Sequence, residues 1–140
     1  MKKLSLILLV PVIVLAACVK ENTPTTAGDE AVDTMFAVSK YSGTFVNGPY
    51  GAVSGTARIY LQNGQFILAL ENFSSTNGPD LHVYLSREVQ PVNYIDLGRL
   101  RSVSGNQLYP LTGNVDFTYY KYALIHCQRY NHLFGSAELK

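Results

Sequence analysis

Apolar and polar residues alternate along two adjacent segments in the middle of the chain. Apolar side chains recur at every second position from Val53 to Leu61 and again from Phe66 to Leu70. This period of two is typical of half-buried strands. Asn63-Gly64 lies between the segments, and both residues tolerate the positive φ that a tight hairpin turn requires. The pattern therefore predicts two antiparallel strands paired across this turn.

Short strand patterns continue toward the C-terminus, separated by turn residues. Strands are predicted at 81–85, 94–97, 99–103, 107–109, 122–128 and 136–139. Turns are predicted at Gly105-Asn106 and Gly113-Asn114, and residues 115–120 are predicted to form one helical turn. Because no long segment has a helical period, the pattern predicts one all-β domain, an antiparallel sandwich or barrel, over residues 38–140.

The N-terminal segment has a different pattern. Lys2 and Lys3 precede the apolar run Leu6–Ala17, which is typical of a secretory signal and shorter than the about 20 residues of a membrane span. Leu15-Ala16-Ala17-Cys18 resembles the lipobox of bacterial lipoproteins. The resemblance implies that residues 1–17 are removed and that Cys18 is acylated and anchors the protein to a membrane. An uncleaved anchor or an ordinary signal is the alternative.

Residues 18–37 are predicted to be the lipidated cysteine and a flexible tether. The segment from Thr23 to Glu30 is polar, contains Pro24 and Gly28, and has no apolar period. A flexible tether of this length reaches roughly 20–25 Å. Val19 stands where many lipoproteins retained at the inner membrane have Asp. By this resemblance we expect the outer membrane of a Gram-negative cell envelope.

The charge balance and the cysteine count restrict the function further. The chain has 11 Lys+Arg and 10 Asp+Glu, and two of the lysines lie in the predicted signal. A chain with so little net charge lacks the excess of basic residues by which proteins bind nucleic acid. If Cys18 carries lipid, Cys127 has no partner in its own chain, and it is buried and inert, paired between chains, or reactive.

The neighbours of Cys127 favour two different interpretations. In a strand, its side chain shares a face with Ala123 and Ile125, which predicts a buried structural thiol. Arg129 is predicted to share the same face, where its charge would stabilise a thiolate.

Several separated motifs resemble the DM13 family over about residues 41–139. In chain order they are Gly43-Thr44-Phe45, Val53-Ser54-Gly55-Thr56-Ala57, Leu70-Glu71-Asn72-Phe73, Gly78-Pro79-Asp80-Leu81-His82-Val83-Tyr84-Leu85, Leu97-Gly98-Arg99-Leu100, Gly105-Asn106-Gln107-Leu108-Tyr109, Ile125-His126-Cys127-Gln128-Arg129-Tyr130 and Phe134-Gly135-Ser136-Ala137-Glu138-Leu139. The resemblance implies an extracellular β-rich module with a role in electron transfer, in which Cys127 matches the cysteine proposed to be redox-active. The family pattern favours Trp before that cysteine, whereas this chain has His126.

Other candidate sites are less specific. His82, Cys127 and His132 loosely resemble the His₂Cys copper site of cupredoxins, but no methionine follows His132. The alternative is that His82 faces outward beside Tyr84 and that His132 is a loop residue. Asp80 and His82 share a strand face, yet no Gly-x-Ser-x-Gly motif accompanies them, so no catalytic residue is assigned. No cofactor other than this copper alternative is predicted.

Two functional hypotheses follow from these features. The first is a membrane-anchored, extracytoplasmic redox or electron-transfer accessory that acts on a partner protein through Cys127. The second is a non-catalytic binding or scaffolding lipoprotein of the cell envelope, which uses a tyrosine-rich surface. Ten tyrosines are present, four of them at positions 119, 120, 122 and 130, and Tyr is also favoured simply by strand structure.

Overall fold

The computed structural model describes residues 21–140, and the predicted signal and Cys18 lie outside this range. The described chain contains ten strands and no helix, which confirms the predicted all-β fold. The strands are β1 (Gly28–Asp29), β2 (Ala37–Thr44), β3 (Val46–Asn47), β4 (Val53–Gln62), β5 (Gln65–Ser75), β6 (Leu81–Ser86), β7 (Tyr94–Arg99), β8 (Ser104–Pro110), β9 (Tyr122–Cys127) and β10 (His132–Glu138). No helix capable of crossing a membrane occurs in this range.

The strands form two five-stranded sheets of a sandwich. The first sheet has the order β1-β8-β5-β4-β2, and the second has the order β3-β10-β9-β6-β7. All pairs are antiparallel except β1 with β8. The β4–β5 hairpin is confirmed, because Asn63 and Gly64 have φ values of 50° and 78° and Gln62 pairs with Gln65.

The core lies between the two sheets and follows the alternation of each strand. In β6 the inward side chains are Leu81, Val83 and Leu85, and all three are buried in the main apolar cluster. Their counterparts in the first sheet include Ile59 and Leu68, which are fully buried. The intervening residues of β6 point to the opposite face of the second sheet, where the candidate site lies.

The predictions for residues 99–110 are wrong in detail. Residues 100–103 form a loop, and Gly105-Asn106 lies inside β8 rather than in a turn. Gly105 has a φ of 85°, and a Cβ there would lie 2.2 Å from the carbonyl oxygen of Gly28. The glycine therefore permits the close approach of β1, a role that glycine has in strands and that resembles a turn signal in the sequence.

The predicted helical turn at 115–120 is present as one isolated turn, in which the backbone N–H of Tyr120 donates to the carbonyl of Asp116 at 2.9 Å. Two strand boundaries differ from the prediction. The strand β9 ends at Cys127 instead of residue 128, and the final strand begins at His132 instead of Ser136.

The tether predicted over residues 18–37 differs from the structure in its middle part. The Pro24 carbonyl accepts a hydrogen bond from the Val103 N–H at 2.9 Å, and the Ser102 hydroxyl donates to the Thr26 carbonyl at 2.5 Å. Gly28 and Asp29 then pair with β8 as a parallel edge strand. Pairing through main-chain hydrogen bonds does not require apolar side chains at alternate positions. The polar sequence of this segment therefore did not indicate the pairing.

Candidate functional site

Cys127 lies at the last position of β9 and points into the core. Its side chain is 1% exposed and belongs to the main apolar cluster. Its cross-strand partners are Leu81 on β6 and His132 on β10. Ala123 and Ile125 share its face, as the alternation predicted. Cys127 is the free cysteine of the described chain, and the surrounding side chains shield its sulfur from solvent.

Arg129 does not share this face. The strand stops at Cys127, and residues 128–131 form the turn that leads to β10, so the alternation does not extend to Arg129. The turn is joined to the loop before β6, because the Gln128 N–H donates to the Asp80 carbonyl at 3.0 Å. Arg129 is exposed, and the expectation that it shares the face of the Cys127 thiol is wrong.

His126 points to the outer face of the second sheet, where it is almost fully buried. It is 3% exposed, and its ring lies 5.3 Å from the ring of Tyr84 with an interplanar angle of 30°. Neither ring nitrogen has a hydrogen-bond partner among the described residues. Burial lowers the pKa of His126, and this effect exceeds the opposing influence of the nearby Asn131 side chain; His132 and His82 lower the pKa further.

His82 lies on the same outer face and is held by carboxylates. Its Nδ1 lies 3.0 Å from both carboxylate oxygens of Asp96, and its Nε2 lies 3.5 Å from Oδ1 of Asp80. Arg99 contacts the same Asp80 oxygen at 3.1 Å. The outward orientation beside Tyr84 is confirmed, with 6.1 Å between the ring centroids. Both nitrogens of this histidine therefore have structural neighbours.

The copper alternative does not fit this geometry. Cys127 points into the core, whereas His82 points to the other face of the sheet. His132 is the first residue of β10 and stacks on the ring of Tyr50, with 3.6 Å between centroids. Within residues 21–140 no group of three or more His, Cys, Asp or Glu side chains is placed to hold a metal ion. The three predicted ligands are therefore not brought together.

A short column of aromatic rings connects the surface to His126. Tyr94 on β7 is partly exposed and stacks on the buried ring of Tyr84 at 4.3 Å, and Tyr84 in turn contacts His126. Burial, together with the charge of Asp96, raises the pKa of Tyr84 to about 12. Sequence patterns alone do not reveal this column, although the spacing of His82 and Tyr84 indicates that both share one face.

Comparison with known proteins connects this geometry to a family. Residues 44–139 match the family described as "Electron transfer DM13". The chain belongs to the DM13 family. Neither the curated proteins nor the solved structures gave a match. In this DM13 domain Cys127 is a core residue, and His126, the residue before it, is buried on the outer face against the ring of Tyr84.

Proposed function

We propose that the protein is a lipid-anchored DM13 domain of the bacterial cell envelope that serves as a redox accessory to a partner protein. The family match supports the electron-transfer role. The observation that carries the redox proposal is the position of Cys127, the free thiol of the described chain, next to an exposed turn. The sequence Leu15-Ala16-Ala17-Cys18 supports the anchor, and Val19 supports the outer membrane.

The proposed step is thiol–disulfide exchange with a disulfide of the partner protein. The Cys127 thiol gives its proton to solvent, and the thiolate attacks one sulfur of that disulfide. The partner's S–S bond breaks, a new S–S bond joins the two proteins, and the second sulfur of the partner leaves as a thiolate. A second thiolate, from the partner or from a small-molecule thiol, then attacks the partner's sulfur of the mixed disulfide. A new S–S bond forms to that sulfur, and the Cys127 sulfur leaves as a thiolate and takes up a proton from solvent. The exchange conserves electrons and requires no cofactor.

The turn at residues 128–131 provides the route to the buried sulfur. Its closing backbone hydrogen bond, from the Asn131 N–H to the Gln128 carbonyl, is 3.4 Å long, and Asn131 has a φ of 52°. Such weakly bonded, exposed segments open at lower free energy than the core strands. Because Cys127 is the residue just before this turn, opening of the turn and of the last pair of β9 exposes the thiol without unfolding the sandwich.

Reaction with glutathione disulfide tests the redox proposal. We expect the folded, detergent-solubilised protein to gain one glutathionyl group, detected by intact mass, at urea concentrations well below the unfolding transition. Cys127→Ser is the matched control and should gain none. If the adduct forms only in parallel with global unfolding, Cys127 is not a redox group.

The burial of Cys127 also favours a second function. A thiol that is 1% exposed among apolar side chains serves packing, since free cysteine behaves as a small hydrophobic residue. The protein would then be a non-catalytic binding or scaffolding lipoprotein that uses exposed tyrosines such as Tyr50 and Tyr130. The glutathione experiment separates the two functions, because only the redox accessory requires modification of the folded protein.

The anchor is tested independently of the thiol chemistry. We expect the protein recovered from membranes to begin at Cys18 and to carry the mass of the acyl chains. Cys18→Ser should abolish this mass and leave the unprocessed precursor. Fractionation with inner-membrane markers would contradict the outer-membrane location, while an unacylated precursor in the cytosol would contradict the anchor itself.

A further inference from the structure

The chain is fixed to the folded body from Asn22 onward. The Asn22 N–H donates to the Gly78 carbonyl at 3.3 Å, and its side-chain amide donates to the Pro79 carbonyl at 3.1 Å. Thr23 is buried, and its hydroxyl donates to the same Gly78 carbonyl at 3.4 Å. From Asn22 onward, the predicted tether therefore forms part of the folded body.

This attachment sets a short distance to the proposed anchor. Four residue steps separate Cys18 from Asn22, and four extended residues span at most about 14 Å. The limit rests on the proposed acylation of Cys18. An acylated Cys18 lies at the headgroup level of the membrane, so the part of the sandwich around Asn22 must lie close to the lipid surface.

The same end of the sandwich is formed by several turns. Asn22 contacts residues 78–79, and the Asp80 carbonyl that follows accepts the hydrogen bond from Gln128 in the turn before β10. The loop that carries Tyr50 joins this end, because its N–H donates to the Leu133 carbonyl at 3.2 Å. We call this surface, formed by Asn22, residues 48–51, 78–80 and 128–132, the Asn22 end.

The chemistry of the Asn22 end fits an anionic phospholipid surface. Tyr50 and Tyr130 are 56% and 47% exposed, and the ring of His132 lies between them. Tyrosine is enriched at membrane interfaces because its ring is apolar and its hydroxyl is polar. Arg129 is exposed and forms no salt bridge with any carboxylate of the described residues. A guanidinium with no carboxylate partner is suited to a phosphate group.

We propose that the Asn22 end binds the membrane surface, with Tyr50, Tyr130 and Arg129 against anionic phospholipid headgroups. The opposite end then points away from the membrane. Because residues 128–131 lie at the membrane surface in this orientation, the route to Cys127 is open only to a redox partner located at that surface. β6 begins at the Asn22 end and spans roughly 17 Å to Ser86. Arg87, the next residue, contacts the hydroxyl of Tyr119 at 3.3 Å, which places Tyr119 at the far end.

A single tryptophan reports which end lies on the lipid, because the chain contains no Trp. Tyr130→Trp places the reporter at the Asn22 end, and Tyr119→Trp, at a position that is 38% exposed, is the matched control at the far end. Each acylated mature protein is purified from membranes and reconstituted into vesicles of phosphatidylcholine and phosphatidylglycerol that contain a headgroup-nitroxide lipid. We expect loss of emission for Tyr130→Trp and none for Tyr119→Trp.

Charge reversal tests the role of Arg129. In the Tyr130→Trp background, Arg129→Glu should reduce quenching in vesicles that contain phosphatidylglycerol and leave it unchanged in pure phosphatidylcholine. Lys121→Glu, an equal charge change at an exposed residue next to β9 at its far end, should have no effect. Quenching that is insensitive to Arg129→Glu overturns the proposed contact between arginine and phosphate.

The remaining outcomes separate the orientation from the anchor. If both reporters are quenched equally, or neither is quenched while the protein floats with the vesicles, the proposed orientation is wrong and the anchor stands. If Tyr130→Trp is shielded in native membranes but not quenched in vesicles, a protein covers the Asn22 end and the lipid contact is wrong. If the protein carries no acyl mass and does not float, the anchoring proposal fails, and the orientation fails with it.

Discussion

Replacement of His126 by phenylalanine should stabilise the fold. His126 is buried, and neither of its ring nitrogens has a hydrogen-bond partner among the described residues. Each unsatisfied buried polar group costs about 1–3 kcal/mol. His126→Phe removes both groups and keeps a ring that can stack on Tyr84. The larger ring introduces packing strain, typically about 1–3 kcal/mol. With both terms at the lower end of their ranges, removal of the two groups outweighs the strain, and we expect a net gain of about 1 kcal/mol in the free energy of unfolding.

The same substitution should change the pH dependence of stability. The pKa of folded His126 lies below its ordinary value of 6.5 because burial disfavours the imidazolium. The unfolded chain therefore binds more protons at this position as the pH falls through 6.5, and the wild-type free energy of unfolding decreases. His126→Phe should lose this contribution, so the two proteins should differ more at pH 5 than at pH 8.

Urea unfolding followed by circular dichroism at both pH values measures these effects. With a slope of about 1–3 kcal/mol per M, a gain of about 1 kcal/mol shifts the midpoint upward by about 0.3–1 M. His132→Phe is the matched control, since His132 is only partly buried and its nitrogens are not among the unpartnered buried atoms. A lower midpoint for His126→Phe at pH 8, or an unchanged pH slope, would refute the reasoning.

Two further substitutions test how the sheets are built. Gly55→Ala should lower the free energy of unfolding by about 1–3 kcal/mol, because Gly55 has a φ of 106° and a Cβ would lie 2.7 Å from the carbonyl oxygen of Glu71. Gly64→Ala should lower it less, because no atom lies within 4 Å of a Cβ at that position. Equal urea midpoints for the two variants would contradict the steric argument. Gln107→Leu should cost about 3 kcal/mol in a thermal melt, because the buried amide bonds both backbone groups of Ser102 and the hydroxyl of Tyr109. The exposed Gln65→Leu should be nearly neutral, and a Gln107→Leu variant as stable as this control would exclude the proposed network.

Much of the fold could be predicted from local sequence patterns. The apolar patterns predicted the positions of β4, β5, β6 and β9. The period of two in β4 and β5 reflects a partly buried strand, whereas β6 and β9 are buried on both faces. The Asn63-Gly64 turn followed from backbone sterics alone. The inward orientation of Cys127 followed from its neighbours Ala123 and Ile125. These features depend on residues close together in the chain, so the sequence contains the necessary information.

The features that were missed depend on contacts between distant segments. Gly105 has the same sequence signal whether it forms a turn or permits β1 to approach, and only the position of Gly28 distinguishes the two roles. Likewise, the aromatic column formed by Tyr94, Tyr84 and His126 joins three strands whose order in the sheet is not local information. The copper alternative failed for a similar reason, since spacing along the chain did not reveal which sheet face each ligand occupies.

The pairing of the N-terminal segment with β8 has a consequence for the order of folding. Gly28 pairs with Gly105 in β8, and Thr26 bonds Ser102 just before β8, 76 positions along the chain. Contacts this distant form late because a long loop must close first. During export the N-terminal segment emerges before the strand that will hold it. On the proposed lipoprotein route, Cys18 is thus not drawn toward the folded body before residues 78–79, the partners of Asn22, have been exported. Maturation of the lipoprotein and completion of the fold would then occur in sequence without a separate control.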